Sequence, residues 1–355
     1  IIKDITQKQI LSKNKLFRFK KNNIFSIKVD KTIEILIVPN PGEKNAHQDN
    51  VGIILEEDKI LKILSKRYKK VSIIVVKNKK DLEKLAKRKP DLVFSGVKYF
   101  RFNGKKIWLN DYLEKYKIPY IASSKSALDN ESDKNKAKKI MRIAKVKTAD
   151  SFITIPNEYQ NLKSIPMPFP LFIKPISGGD SRGIDSSSIV YNFSDFKKKV
   201  LDIKKKYNLA SLVETYLPGK EYSVGIFEDN ANGYLRALPV EIIIKKNING
   251  HCILDFDVKK NDEEKVVAVK DIKIFNKLSK LAKDSFKALG AKSLGRIDIK
   301  MNSNGVPHFM EANLMPGLRR GYFYRSCVLN LGMNYEDMIF NIANTGLSSN
   351  TIIKN

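Results

Sequence analysis

Cysteine and histidine are scarce: 355 residues hold two cysteines, Cys252 and Cys327, and three histidines. Two thiols build neither a disulfide framework nor a cysteine-based zinc site. A reduced, cytoplasmic protein is expected on that ground. His47, His251 and His308 show no triad or metal spacing and read as structural or surface residues. No apolar run approaches the ~20 residues that span a bilayer, so no membrane partner is expected. The opening IIKDITQKQILSKNKLFRFKKNN is basic and mixed, without the apolar core and cleavage site of a signal peptide. Acidic residues are outnumbered, 38 Asp and Glu against 66 Lys and Arg, for a formal charge of +28. Such an excess first suggests nucleic acid. But the lysines run along the whole chain, Ile and Asn are abundant with them as in AT-rich coding, and no zinc-finger, RRM or homeodomain signature appears. The balance is against nucleic acid. An anionic small molecule such as a nucleotide suits the same charge.

What is present is a globular composition, 42% hydrophobic and 29% charged, on a chain long enough for more than one domain. Residues 1–31 read as a basic extension. From Thr32 the pattern changes. TIEILIVPN, VSIIVV and DLVFSGV read as buried strands, with helical spacing in DNVGIILEEDKILKILSKRY and DLEKLAKRK between them. IWLNDYLEKYKIPYIAS adds a helix and a strand. Alternating strands and helices imply parallel pairing, and residues 32–122 are expected to form an α/β domain. SDKNKAKKIMRIAKV is a basic helix, LFIKP a strand, FSDFKKKVLDIKKKY a helix with Phe196, Val200 and Ile203 on one side, and ASLVETYLPGKEYSVGIF two strands joined at Pro218-Gly219. These suggest an α+β unit over 123–222. The remainder, 223–355, opens with strands and continues with the helix DIKIFNKLSKLAKDSFKALG, capped by Asp271 and stopped by Gly290. It ends in the hairpin SLGRIDIKMNSNGVPHFMEAN and the capped helix NYEDMIFNIANTG.

The hairpin carries the sharpest chemical signal. Side chains two apart on a strand share a face, so Arg296, Asp298 and Lys300 lie together, as do Glu311 and Asn313 on the return strand. With a turn near 302–305, Asp298 falls across from Glu311. Opposed like charges repel, and a cation would relieve them. Two carboxylates and an amide are hard oxygen ligands suited to Mg²⁺. A solvated face neutralised by Arg296 and Lys300 remains the other reading. FIKPISGGDSRGI places Lys174 at a strand end before a Gly- and Ser-rich loop whose backbone N–H groups could converge on a phosphate. It has neither the P-loop nor the dinucleotide-binding spacing. In ETYLPGKE, Glu214 and Glu221 flank a turn where backbone could hold a base and acids could meet ribose hydroxyls; an ordinary hairpin with exposed acids is the plainer alternative.

In their order along the chain these motifs resemble the ATP-grasp fold, here preceded by a Rossmann-like α/β domain, and more closely the D-alanine–D-alanine ligase family. The matching stretches are IPYIASSKSAL…SDK, FIKPISGGDSRG, VETYLPGKEYSV, GRIDIKMNSNG and EANLMPG, within residues 32–347. The resemblance implies that Lys134 and Lys174 contact ATP phosphates and that the loop around Ser181 closes over them. It puts Glu214, Thr215 and Leu217 at the adenine hinge, Glu221 at the ribose and Lys259 on a mobile covering loop. Asp298, Glu311 and Asn313 would hold Mg²⁺ or Mn²⁺, and Arg296 with the Gly317 backbone N–H would stabilise an oxyanion. The implied reaction joins a carboxylate and an amine through an acylphosphate, with ADP released. A homodimer through the N-terminal domain is also implied.

The departures lie at the substrate ends. The family's glycine-rich N-terminal loop ends in a glutamate; here VPNPGEKNAHQDN offers no clear replacement in Glu43 or Asp49. Its His-Gly loop and Gly-Glu-Asp-Gly give way to SGVKYFRFNGKKI. Its hydroxyl-rich segment after Pro-Gly becomes LRRGYFYR, with Tyr322 near the serine position. Arg319, Arg320 and Tyr322 are therefore expected to shape an acceptor pocket for a substrate larger or more acidic than D-alanine, arginine forks favouring carboxylates and phosphates; loop arginines that simply face solvent are the plainer alternative. Two rival expectations stand beside it: a divergent D-alanine–D-alanine ligase, and a non-catalytic nucleotide- or nucleic-acid-binding protein.

Overall fold

The computed structural model describes residues 28–37, 52–53, 55–102, 105–178, 181–229, 233–245, 250–254, 258, 261, 263–319 and 321–348. Nearly all of the basic extension, the acids Glu43 and Asp49, Lys259 and Arg320 lie outside these residues.

The first unit is a parallel sheet. Strands β1 (Val29–Ile37), β2 (Tyr68–Val75) and β3 (Leu92–Ser95) lie in the order β2-β1-β3. Helix α1 (Glu57–Leu64) precedes β2 and buries Ile60, Ile63 and Leu64, three positions of one helical face. Helix α2 (Lys79–Arg88) starts where the Asn78 side chain accepts from the Asp81 N–H, and it buries Leu82, Leu85 and Ala86. The hairpin of β4 (Tyr99–Phe102) and β5 (Lys105–Trp108) follows, then helix α3 (Leu109–Lys115). The sequence signal for this hairpin is Asn103-Gly104 between two short alternating runs. The strand expected at IPYIAS is only an isolated bridge between Val93 and Tyr120.

Two antiparallel sheets follow. The first has β6 (Ser151–Thr154), β7 (Leu171–Pro175), β8 (Ile189–Val190) and β9 (Ser211–Thr215) in the order β6-β9-β7-β8. Helix α6 (Phe193–Tyr207) covers it, packing Phe196, Val200 and Ile203 against Leu171, Ile173 and Val213. The second has β10 (Glu221–Asp229), β11 (Tyr234–Ile243), β12 (Lys265–Ala268), β13 (Leu294–Met301) and β14 (Pro307–Asn313) in the order β12-β11-β10-β13-β14. The two strands around Pro218-Gly219 are thus not partners. β9 belongs to one sheet and β10 to the other, and the linking turn is tied by the Gly219 N–H to the Met301 carbonyl. A Cβ on Gly219 would stand 2.6 Å from that oxygen, so glycine permits the close crossing.

Strand alternation gives the five-stranded sheet two different faces. Val224, Ile226, Ile297 and Ile299 join the core, where Gly295 lets the Phe286 ring of helix α7 (Ile272–Ala288) approach. The opposite face carries Glu221, Ser223, Asp298 and Lys300, and helix α8 (Tyr322–Leu331) meets its far end through Phe323 against Phe227 and Gly225. Helices α4 (Lys125–Ser132) and α5 (Lys134–Ile143) pack on β14, and helix α9 (Tyr335–Ser348) returns to α1 and β3. Among the described residues no helix is long and apolar enough to cross a membrane.

Candidate active site

The polar face of β13 and the end of β14 form one wall of the site. Asp298 and Glu311 are direct partners across the two strands, as are Arg296 and Asn313. The register then slips, so that Ile299 pairs with Phe309 and Met310 is the extra residue. Such a bulge re-aims the side chain beside it. Glu311 lines both halves of the adjoining cleft. The Asp298 carboxylate is buried and well supplied with donors. Oδ1 accepts from Ser223 Oγ at 2.7 Å and Arg296 Nε at 3.0 Å; Oδ2 accepts from Arg296 Nη2 at 2.8 Å and Asn313 Nδ2 at 3.4 Å. Burial opposes the charge on Arg296, but Asp298 outweighs it and holds the guanidinium pKa above its ordinary value. Lys300, which the alternative reading of a solvated face paired with these acids, meets Glu221 on the same face at 2.9 Å.

The opposite wall is built on a buried three-charge cluster. Glu214, at the end of β9, receives Lys138 on Oε1 at 2.6 Å and Lys174 on Oε2 at 2.7 Å. Burial resists the Glu214 charge, yet the two ammonium groups outweigh it and hold its pKa down to about 2. The lysines are affected in opposite directions. For Lys138 burial dominates and lowers the pKa, with Lys174 adding repulsion. For Lys174 burial is overcome by Glu214 and then Glu311, and the pKa is raised. Lys174 is therefore a firmly charged group between the two walls. Lys138 was missed in the sequence. The signal was there: it follows Lys134 by four residues and lies on the buried face of α5 with Ala137 and Met141.

Between the walls lies a partly open cleft. Phe172, Ile184, Leu217, Leu254, Phe309 and Met310 give it an apolar floor, and Thr215, Glu221 and Asp298 add polar groups. A smaller space of ≈ 300 Å³ shares Lys174, Ser181, Ile184 and Glu311 with it and is otherwise lined by Lys134, Pro175, Ser177, Gly178 and Arg182. The first half suits a base and sugar; the second, cationic and rich in backbone, suits phosphates. Lys134 donates to the Gly178 carbonyl at 2.6 Å, and Ser181, at a left-handed φ of 58°, donates through Oγ to the Leu254 carbonyl at 2.8 Å. The glycine-rich loop is thus tied to α5 on one side and to the segment before Lys259 on the other.

The donor set at Asp298 fits a divalent cation. Asp298 and Glu311 are paired positions across β13 and β14, and the Asn313 amide reaches the Asp298 carboxylate. Among the described residues no group of three or more His, Cys, Asp or Glu comes together as a self-sufficient metal site. A cation here would complete its shell with phosphate oxygens and water, as Mg²⁺ does.

At the acceptor end the expected residues separate. Tyr322 is buried at the head of α8; its hydroxyl donates to Glu264 Oε1 at 2.8 Å and its ring lies 5.4 Å from the Arg296 guanidinium. Arg319 is exposed, and Gly317 lies on the turn leading there with its Cβ direction open.

Comparison with known proteins places the chain in a family. The family model described as D-ala D-ala ligase C-terminus matches residues 146–344. The D-alanine–D-alanine ligase of Aquifex aeolicus is 30% identical over 259 residues, covering 72% of this chain and 82% of its own length. D-alanine–D-alanine ligase A of Bacillus cereus is 27% identical over 305 residues, 85% and 95% of the two chains. The structure of the Bacillus anthracis D-alanine–D-alanine ligase complexed with ATP superposes with a TM-score of 0.68 at 21% identity, covering 91% of this chain and 99% of that one. The chain belongs to the D-alanine–D-alanine ligase family, ATP-grasp enzymes that form a bond between carboxylate and amine with ATP and Mg²⁺ and release ADP.

Proposed function

We propose that this ligase joins two amino-acid-sized substrates and that its acceptor is not plain D-alanine. The observation that carries this reading is Tyr322. A serine there would leave space and a free hydroxyl for an acceptor carboxylate. A phenol near that position would take up the volume, and the Tyr322 hydroxyl already donates to Glu264. The two arginines at 319 and 320 would instead favour an acceptor with an additional acidic group. Plain D-alanine is the second reading, favoured by the names of the relatives. The non-catalytic alternative is set aside by membership of an enzyme family.

In this reading Lys134 and Lys174 neutralise phosphate oxygens as charge moves during transfer. Glu214 keeps Lys138 and Lys174 at fixed positions, while Thr215, Leu217 and Glu221 meet base and ribose. Arg296 and the Gly317 N–H face the oxyanion formed when the amine attacks. Asp298, Glu311 and Asn313 would hold Mg²⁺, whose charge would draw the phosphates into line. The Ser181 loop would close over the cleft and exclude water, and the resemblance assigns Lys259, which lies outside the described residues, to the same cover. In this division of labour, 32–122 offers the first substrate, 123–222 the nucleotide and 223–355 the metal and acceptor. The family likeness also carries a homodimer through the N-terminal unit into the proposal.

Tyr322→Ser tests the acceptor reading. It is expected to raise kcat/KM for D-alanine as acceptor by about 10-fold, roughly the effect of refitting one pocket contact. Efficient D-alanyl-D-alanine formation by the unmodified enzyme, with no gain in the variant, would overturn it.

A further inference from the structure

Glu131 stands in the last turn of α4 with its side chain 4% exposed, away from both clefts. Oε2 accepts a hydrogen bond from the Leu314 backbone N–H at 2.5 Å. Oε1 receives the Lys98 ammonium. Both oxygens are therefore spent, and the two partners come from distant parts of the fold. Leu314 directly follows Asn313 at the end of β14. Lys98 lies three residues beyond the C-terminal end of β3, the edge of the parallel sheet at which α/β folds usually offer ligands. Helix α4 is itself held: Asn130 Nδ2 donates to the Leu289 carbonyl at 3.3 Å. Gly317 is three residues beyond Leu314, within about 10 Å along an extended chain. The clamp thus grips the peptide between Glu311 and Asn313 on one side and Gly317 on the other.

We propose that Glu131, charge-paired with Lys98, is a positioning residue for the ligase reaction. It fixes the exit of β14 against the N-terminal unit, so that the metal-facing side chains and the Gly317 N–H keep their alignment toward a substrate at the β3 edge. A charged acceptor on a buried N–H is stronger than a neutral one and tolerates little displacement. The proposal rests on the reading of Glu311 and Asn313 as metal ligands.

The test measures Mn²⁺ affinity by electron paramagnetic resonance with a non-hydrolysable ATP analogue bound, in the unmodified enzyme and in Glu131→Gln, Glu131→Ala and Lys98→Met. Outer-shell partners typically change metal affinity 10–100-fold. Mn²⁺ binding in Glu131→Gln should therefore weaken by about 10-fold, and in Glu131→Ala by more. Analogue affinity measured without metal should stay unchanged in each. If Glu131→Ala fails to fold, Glu131→Gln and Lys98→Met carry the test. Unchanged Mn²⁺ affinity in the folded variants, with only a lower melting temperature, would overturn the proposal. So would a matching loss of metal-free analogue binding. Glu311→Gln is the control: if it too leaves Mn²⁺ affinity unchanged, the metal reading has failed instead.

Discussion

Glu214 shows why single residues here do two jobs. Its carboxylate is buried with a lysine on each oxygen, so it organises the cleft wall and compensates two buried charges at once. Breaking such a cluster by removing one member costs about 3–5 kcal/mol, because uncompensated charge stays buried. Glu214→Gln should lower unfolding stability by about that amount, read in denaturant titration at neutral pH. The pH dependence follows from the direction of the shift. A carboxyl whose folded pKa lies near 2, below its ordinary 4.5, contributes fully above about pH 4.5. That contribution falls away as the pH drops toward 2. Unfolding measured between pH 6 and pH 3 should show the loss in the unmodified protein and a flatter profile in Glu214→Gln. An identical profile in both would mean the cluster is not what acid dissolves. At this scale the sequence was half legible. Asp298 opposite Glu311 followed from strand alternation and a recognisable turn. Lys138 did not emerge, because a lysine on a lysine-rich helix looks solvated until its burial is known.

The elements themselves were legible wherever local chemistry decides them. Helix α7 begins where Asp271 accepts from the Lys273 and Ile274 N–H groups at 2.8 and 3.1 Å, and ends before Gly290 at a positive φ. Asp271→Ala should cost about 1 kcal/mol, the usual worth of an N-cap, and lower the melting temperature by a few degrees with ATP affinity untouched. A loss above about 3 kcal/mol would show that Asp271 carries more than the cap. Helix α9 was equally readable from its cap at Asn334, and helix α6 from the shared side of Phe196, Val200 and Ile203, with Asn192 capping it in the structure. What local chemistry does not decide is the partner of a strand. β9 and β10 look like a hairpin across Pro218-Gly219, yet each pairs within its own sheet. The same limit applies to α4 and α5, read with the segment that follows them but packed on β14 and α7. Only the tertiary arrangement shows Glu131 reaching Leu314 across 183 positions of sequence.

For the whole molecule, order along the chain was more informative than any motif. A lysine at a helix start, a lysine before a glycine-rich loop, an acidic linker and Asp…Glu-x-Asn are each weak alone. Together they imply two sheets facing each other over a nucleotide, and the family model and the fold agree with that. Net charge was the least specific global feature, since an excess of lysine suits a nucleic acid and a nucleotide alike. In the cleft three of the lysines are paired with acids: Lys138 and Lys174 with Glu214, Lys300 with Glu221. The substrate ends were the least legible, since Tyr322 departs from the family pattern and Lys259 and Arg320 lie outside the described residues. The measurement that bears most directly on the account is Mg²⁺-dependent ADP formation by the purified enzyme with D- and L-amino acids, singly and in pairs, with mass spectrometry of the products. The account predicts a product of one amide bond per ADP, formed with an acceptor other than D-alanine and not with D-alanine alone. Fast ADP formation with D-alanine alone and its dipeptide as sole product would contradict it.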